Sequence, residues 1–239
     1  MATVLLVRHG RTTANASGIL AGRSPGVELD DTGREQAART GDRIAAVPVA
    51  TVVASPLERC AQTARAVVER QPGTVASLVD GDLTECDYGR WQGRALSDLS
   101  AEPLWSTVQS QPSAVVFPGG ESMAGMHARA VAAIRRHDAA VEAEHGPGAV
   151  WVAVSHGDVI KSVLADALGM HLDLFQRIEV GPASVSIVSY GPSRPRVWAM
   201  NTDDGDLAWL SKLTPADDAA VGGGAGTGAG GGSGAGAGA

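Results

Sequence analysis

The sequence predicts an α/β fold: a single three-layer α/β/α domain with a mostly parallel sheet. Three observations support this prediction. Apolar, strand-like runs at residues 4–7, 51–54 and 149–154 each end in a polar turn. Segments with helical patterning follow these runs and alternate with them, as in sheets that carry helices on both faces. With 239 residues, 44% of them hydrophobic, the chain is long enough to build one sizeable core.

The first strand-like run ends in the tripeptide Arg8-His9-Gly10. A histidine at a strand end, with a guanidinium beside it and a glycine that lets the backbone approach a ligand, is suited to attack a phosphorus atom. His9 is therefore a candidate nucleophile. A lone histidine is more often a structural residue, so the interpretation depends on three further segments.

Residues 32–45 follow as a predicted helix. Thr32-Gly33-Arg34-Glu35 matches the pattern of a capping box, and small side chains further on allow close packing against a sheet.

The second strand-like run, residues 51–54, leads into a helix. Ser55 is the expected cap, Pro56 fits the first helical position, and Glu58 completes a capping box. Arg59 then lies in the first turn, where its forked guanidinium and the helix terminus both favour an anion. The alternative is a surface arginine paired with Glu58.

Residues 82–93 lack periodicity and are predicted to form a loop. Transfer of a phosphoryl group from an alkyl ester requires a proton for the leaving oxygen, and a carboxyl group near a dianion has a raised pKa. Glu85 is the candidate donor. Asp82 and Asp87 are local competitors, and spacing alone does not decide among the three.

A small insert, residues 94–126, is predicted to lie over the active site as a lid. It is rich in apolar side chains, and no lysine or arginine occurs between Arg94 and Arg129. A bisphosphate needs additional cations outside the central pocket, so this composition favours a phosphatase over a mutase. Alternatively, the apolar residues only pack the insert against the core.

The rest of the domain is predicted as a helix over residues 122–144, a strand over 149–154, a helix over 158–168, and strands over 185–190 and 196–200, the last at an edge. His156-Gly157 lies where the strand over 149–154 ends. Because ligands bind beyond the carboxyl ends of parallel strands, we expect His9, Arg59 and His156 to converge.

Residues 221–239 are almost entirely glycine and alanine, which bury too little side chain to offset the ordering of the backbone. We therefore expect a globular domain over residues 1–213 and a disordered tail over 214–239.

Composition limits the function classes. The net charge of −7 argues against nucleic acid as a partner, although Arg8, Arg11 and Arg59 in one cleft would focus positive potential on a phosphate. No transmembrane run or cleavable leader is evident, so a cytoplasmic location without membrane association is expected. The two cysteines have no metal-binding spacing, and no cofactor or metal is expected.

Together these segments resemble the histidine phosphatase superfamily, in the branch that includes cofactor-dependent phosphoglycerate mutases. The resemblance implies that His9 becomes transiently phosphorylated, that Arg8 and Arg59 hold the phosphate, and that Glu85 is the proton donor. It also implies that phosphate or substrate is contacted by four further residues: Asn15, Gly22, His156 and Gly157.

The resemblance implies a two-step reaction on a small-molecule phosphomonoester. Neutral His9 attacks while Glu85 protonates the alcohol, and water then hydrolyses the phosphohistidine, with His156 as an imidazolium. Two alternatives are a phosphomutase and a non-catalytic module that binds a phosphorylated ligand. The oligomeric state is left open, with a homodimer as one expectation.

Overall fold

The structure, a computed structural model, describes residues 2–208 except 192 and 206; the predicted tail at 214–239 and the boundary at 213 lie outside this part of the chain. The strands are β1 (Thr3–Arg8), β2 (Thr51–Ala54), β3 (Ala76–Val79), β4 (Val150–Ser155), β5 (Val185–Tyr190) and β6 (Pro195–Thr202). The α-helices are α1 (Thr13–Ala16), α2 (Asp31–Ile44), α3 (Glu58–Val68), α4 (Leu96–Leu99), α5 (Trp105–Ser110), α6 (Met123–His145) and α7 (Gly157–Ala167).

The six strands form one sheet in the order β3-β2-β4-β1-β5-β6. Strands β3, β2, β4 and β1 are parallel, whereas β5 pairs antiparallel with both β1 and β6. The prediction of a mostly parallel sheet with an edge strand near residue 196 is confirmed.

Helices cover both faces of the sheet, as the three-layer prediction requires. Successive β1 side chains enter different cores because a strand alternates its faces. Val4 and Leu6 belong to the core under α6 and α7, and Leu5 and Val7 to the core under α2 and α3. The central strands are therefore fixed from both sides, and so are the residues at their carboxyl ends.

Both predicted capping boxes are wrong. Helix α2 is capped by Asp30, whose carboxylate accepts a hydrogen bond from the Gly33 amide at 2.7 Å, two residues before the expected Thr32 cap. Helix α3 begins at Glu58 without a side-chain cap. The Ser55 hydroxyl instead contacts His156 at 2.8 Å, a tertiary partner that local spacing does not reveal.

The insert forms α4 and α5 and a short 3-10 turn, Pro112–Ala114. Leu99 and Val115 are fully buried in the core. These two residues therefore pack the insert against the core, as the alternative interpretation expected. Other residues of the insert line a cavity next to His9. Among the described residues, no helix is both long enough and apolar enough to cross a membrane.

Candidate active site

The carboxyl ends of three neighbouring parallel strands bring the predicted residues together. His9 follows β1, His156 follows β4, and Arg59 lies in the first turn of α3 after β2. The centroids of the two imidazole rings are 5.2 Å apart, and Arg59 Nε lies 3.3 Å from His9 Nε2. The predicted convergence is confirmed.

Backbone contacts hold the turn that carries His9. A β-carbon on Gly10 would overlap the carbonyl of Gly33 at the start of α2, and one on Gly33 would overlap the carbonyl of Arg11. The Gly10 amide also donates to Thr63 Oγ1 of α3 at 3.1 Å. Gly10 is therefore required for close approach of a helix, which corrects the expectation that it makes room for a ligand.

His9 is held in the form that a nucleophile needs. Its Nδ1 lies 2.7 Å from the carbonyl oxygen of Gly10, an acceptor, so the proton is placed on Nδ1 and the lone pair on Nε2. Burial, and then the charges of Arg59 and Arg8, lower the pKa of His9 well below its usual range. The ring is therefore neutral, and its unprotonated nitrogen, Nε2, accepts a hydrogen bond from Arg59 Nε.

The guanidiniums of Arg8 and Arg59, beside His9, each have one N–H group without a hydrogen-bond acceptor among the described residues. Arg59 is 2% exposed and donates from Nη2 to the carbonyl of Gly22 at 2.7 Å, which excludes the surface pairing with Glu58. Arg8 donates from Nη1 to Val180 O at 2.7 Å. Arg59 Nη1 and Arg8 Nε are both buried and have no partner within the described part of the chain. Buried donors of this kind require an acceptor, and the cavity has room for one.

His156 is completely buried, and its Nε2 lies 2.8 Å from Ser55 Oγ and 3.4 Å from Cys60 Sγ. Burial, followed by His9, Arg59 and Arg8, lowers the pKa of His156 well below its usual range. The expected imidazolium is therefore disfavoured, first because the ring is buried and then because His9 and the two arginines lie close to it.

Of the three candidate acids, Glu85 is the one placed in the cavity. It is 9% exposed, and the Cys86 amide donates to its Oε1 at 3.0 Å. Asp82 is half exposed and pairs with Arg136 at 3.2 Å, while Asp87 accepts from the Gly89 amide.

The electrostatic surroundings suit Glu85 for proton donation. Burial, and then the nearby charge of Asp158, raises the pKa of Glu85 to about 7. Asp158 is itself held by the Tyr88 hydroxyl, which donates to Oδ2 at 2.7 Å. A carboxyl group with this pKa carries a proton for part of the time near neutrality and can both give and take one.

The remaining predicted residues border the cavity in different ways. Asn15 lines it, although its Oδ1 accepts from both the amide and the hydroxyl of Thr12. Gly22 contributes the carbonyl that accepts from Arg59. Gly157 also lines the cavity, and a β-carbon there would lie 3.6 Å from the Arg8 guanidinium, an ordinary contact.

Arg11 is not in the cleft, contrary to expectation. Its Nε donates to the Asp30 carboxylate at 2.8 Å and its Nη2 to Thr32, so it ties the turn after β1 to the start of α2. The positive potential of the site therefore comes from Arg8 and Arg59 without Arg11.

The cavity has a volume of about 340 Å³ and extends outward from His9. The outer part of the lining contains two kinds of side chain. The apolar ones are Ile19, Leu20, Leu96, Trp105, Val108 and Phe117. The polar ones are Gln109 of the insert and, from α7 and the segment after it, Asp158, Lys161, Gln176 and Glu179.

Sequence reasoning missed Lys161. It is the only lysine or arginine besides Arg8 and Arg59 among the described residues that line the cavity, and its Nζ donates to Gln176 Oε1 at 2.9 Å. The signal was available, because Lys161 follows Asp158 by one helical turn and so shares its face of α7.

Both cysteines are free and buried. Burial raises the pKa of the Cys60 thiol to about 12 and that of Cys86 further still, so neither is poised as a thiolate. Within the described residues, no group of three or more histidine, cysteine or acidic side chains is arranged to hold a metal ion.

The chain is similar in sequence to known proteins. Residues 4–203 match the sequence profile of the histidine phosphatase superfamily, branch 1. A phosphoglycerate mutase-like protein of Arabidopsis thaliana is 32% identical over 68% of this chain and 69% of its own length. An acid phosphatase of Mycobacterium tuberculosis is 30% identical over 78% of this chain and 86% of its own.

The fold is also similar to solved structures. A mycobacterial glucosyl-3-phosphoglycerate phosphatase, solved as a complex with VO3, superimposes with a TM-score of 0.74 at 28% identity, covering 83% of this chain and 98% of that one. Some other mycobacterial relatives are longer, and the match spans 50% of their length.

Proposed function

The chain belongs to branch 1 of the histidine phosphatase superfamily, and we propose that it hydrolyses phosphomonoesters of small metabolites through a phosphohistidine on His9. One observation carries the proposal. Two buried N–H groups, Arg8 Nε and Arg59 Nη1, lack a partner among the described residues, and both belong to guanidiniums that line the cavity with His9, whose unprotonated Nε2 accepts from Arg59 Nε at 3.3 Å. An anionic phosphoryl group supplies the acceptors that these donors need.

In the first step, His9 Nε2 attacks phosphorus in line with the ester oxygen. The N–P bond forms as the P–O bond breaks, and Glu85 gives its proton to the departing oxygen. Arg8 and Arg59 bind the non-bridging oxygens, where charge is spread in the transition state. The free alcohol leaves, and the phosphoryl group stays on His9.

In the second step, Glu85 is a carboxylate and accepts a proton from water as the water oxygen attacks phosphorus. The N–P bond breaks and His9 Nε2 recovers its lone pair, so inorganic phosphate is released and both side chains return to their initial states. The negative charge of the bound phosphoryl group opposes the effect of the two arginines on His156 and favours its proton uptake beside the phosphoryl oxygens.

The outer cavity indicates the kind of alcohol. Its lining offers apolar and aromatic surface together with hydrogen-bonding groups and the charge of Lys161. An alcohol that has both apolar and polar groups suits this lining. Lys161 also favours a second candidate, a phosphomutase acting on a substrate with a further anionic group, because it supplies a cation that the insert lacks.

The test is a panel of phosphomonoesters assayed for phosphate release and for rearranged product. We expect release of phosphate, labelling of His9 by radioactive substrate, and loss of both in His9→Ala. His145→Ala, an exposed histidine at the end of α6, is the control and should behave as wild type. Rearrangement that depends on a bisphosphate primer would identify a mutase, and binding without phosphoenzyme would identify a binding module.

Glu85→Gln tests the proton donor. An alkyl alcohol needs a proton to leave whereas p-nitrophenolate does not, so we expect turnover to fall about 100-fold with an alkyl phosphate and much less with p-nitrophenyl phosphate. An equal loss on both substrates would contradict the assignment of Glu85 as the acid.

A further inference from the structure

Behind Glu85, outside the cavity, two arginines share one carboxylate. Arg23 Nη2 and Arg129 Nη2 donate to Glu121 Oε1 at 2.7 and 2.6 Å, and Arg129 Nε donates to Oε2 at 3.1 Å. We call Arg23, Glu121 and Arg129 the Glu121 cluster. None of the three lines the cavity, so the proposed reaction does not use them directly.

The Glu121 cluster forms hydrogen bonds with the main chain around Glu85, the proposed proton donor. Arg23 Nε and Arg129 Nη2 both donate to the carbonyl oxygen of Glu85, at 2.8 and 3.2 Å. Arg129 Nη1 also donates to the carbonyl of Asp82 at 2.6 Å, and Glu121 Oε1 accepts from the Asp87 amide at 2.9 Å. Main-chain groups before, at and after residue 85 are therefore fixed by one set of charged hydrogen bonds.

The same cluster reaches the phosphate end of the site. Arg23 directly follows Gly22, whose carbonyl accepts from Arg59 Nη2 at 2.7 Å. One short stretch of backbone therefore joins the guanidinium beside His9 to the guanidinium that holds the Glu85 carbonyl. The segment that contacts Arg59 and the segment that carries Glu85 are therefore linked through residues 22 and 23.

Charge and burial support a role beyond ordinary surface pairing. The side chains of Arg23, Glu121 and Arg129 are 34%, 22% and 18% exposed, so their hydrogen bonds are partly shielded from water. Burial raises the pKa of Glu121, but hydrogen bonds from Arg129 and the Asp87 amide outweigh it and keep the group ionised. Without the carboxylate, two guanidiniums would face each other behind Glu85.

We propose that Arg23, Glu121 and Arg129 are positioning residues that set the place of the Glu85 carboxyl group relative to the phosphate. The inference rests on the proposed function, because it concerns the delivery of a proton to the leaving oxygen. A misplaced acid slows only the reactions that need the acid, whereas a general loss of packing slows all of them.

The experiment is Glu121→Gln, assayed with an alkyl phosphate and with p-nitrophenyl phosphate. We expect kcat with the alkyl phosphate to fall about 30-fold, kcat with p-nitrophenyl phosphate to fall less than about threefold, and inhibition by orthovanadate to be unchanged. Glu102→Gln is the matched control, because Glu102 pairs with Arg94 at 2.6 Å in the same insert and is remote in its contacts from Glu85. It should change neither rate by more than about twofold.

A second variant covers the case in which Glu121→Gln does not fold. Arg23→Lys keeps the positive charge but loses the fork that bridges Glu121 and the Glu85 carbonyl, and the same selective loss is expected. An equal loss on both substrates, or no loss on either, would overturn the inference. Glu85→Gln distinguishes a failure of the proposed function from a failure of the positioning role. If Glu85→Gln slows both substrates equally, the proposed role of Glu85 as the acid fails. If Glu85→Gln slows mainly the alkyl phosphate but Glu121→Gln and Arg23→Lys do not, only the positioning role fails.

Discussion

The inner and outer ends of the cavity are built differently. The inner end is lined by Arg8, His9 and Arg59, which lie at the end of β1 or at the start of α3, and the ring of the fully buried His156, after β4, packs against His9 without lining the cavity. The outer end combines short helices of the insert with side chains from α7 and the turn after it. The first set is tied to the sheet, and the second depends on connections between elements.

This difference separates the chemistry from the choice of substrate. Because backbone contacts and buried hydrogen bonds fix the inner end, any ligand meets the same phosphate-binding groups there. In the proposed function, the outer lining contacts the alcohol portion of the substrate, in which only the P–O bond is broken. Substitutions at the inner end should therefore lower turnover of every substrate, and those at the outer end should affect only some substrates.

The largest effect is expected for Arg59→Met. It removes a buried donor to the phosphoryl oxygens, and kcat/KM should fall about 1000-fold for all substrates alike. Arg65→Met, in the last turn of the same helix, is the control and should leave the rate unchanged. A loss limited to some substrates would show that the two ends are not separate in function.

A smaller effect is expected for Asp158→Asn, at a residue of the outer lining whose charge acts on Glu85. Glu85 must be protonated to act as an acid, and its pKa is raised to about 7, so turnover of an alkyl phosphate should fall as the pH rises through that value. Removing the negative charge of Asp158 lowers the pKa of Glu85 and moves this decline to lower pH by about one unit. The measurement is a pH profile of kcat/KM, which reports the pKa values of the free enzyme.

Asp166→Asn serves as the control for this profile. Asp166 lies on the same helix but pairs with Arg135 at 2.7 Å and does not line the cavity. Its profile should coincide with wild type. A shift of the Asp158→Asn profile to higher pH would mean that Asp158 does not act on Glu85 through its charge.

The smallest effect is expected for Trp105→Ala in the outer lining. Trp105 stacks on Trp91 with ring centroids 6.2 Å apart and borders the space for the alcohol. KM for phosphomonoesters with an apolar alcohol should rise about fivefold with kcat unchanged, because binding area is lost equally before and during reaction. Val116→Ala, at a side chain 63% exposed in the same insert, should have no effect.

The residues tied to the sheet could be predicted from the sequence, whereas those that depend on contacts between elements could not. His9, Arg59 and His156 were found because each follows an apolar run, a local pattern, and because parallel strands place their carboxyl ends on one edge. Glu85 could not be separated from Asp82 and Asp87 by spacing, since the distinction is burial, which only the folded chain provides. The lid and domain boundaries remain predictions.

The errors have physical causes of the same kind. Ser55 has a good cap sequence, but its hydroxyl contacts His156, which is distant in the chain. Arg11 lies beside the nucleophile in sequence, yet Asp30 and Thr32 bind it elsewhere. Lys161 lies on α7, whereas the expectation about cations concerned the insert alone, and the fold brings both to one cavity. In all three cases the place of the side chain depends on a segment that is distant in sequence.

The position of Glu121 has a consequence for exchanging the insert between proteins. The side chains of the insert that line the cavity lie at or before Phe117, whereas Glu121, four residues later, accepts from the Asp87 amide and binds the two arginines that hold the Glu85 carbonyl. A chimaera in which only residues 95–117 come from another protein retains the hydrogen bonds of Glu121. A replacement that extends through residue 121 removes them. The useful boundary for transplanting substrate preference is therefore the Pro118-Gly119-Gly120 turn.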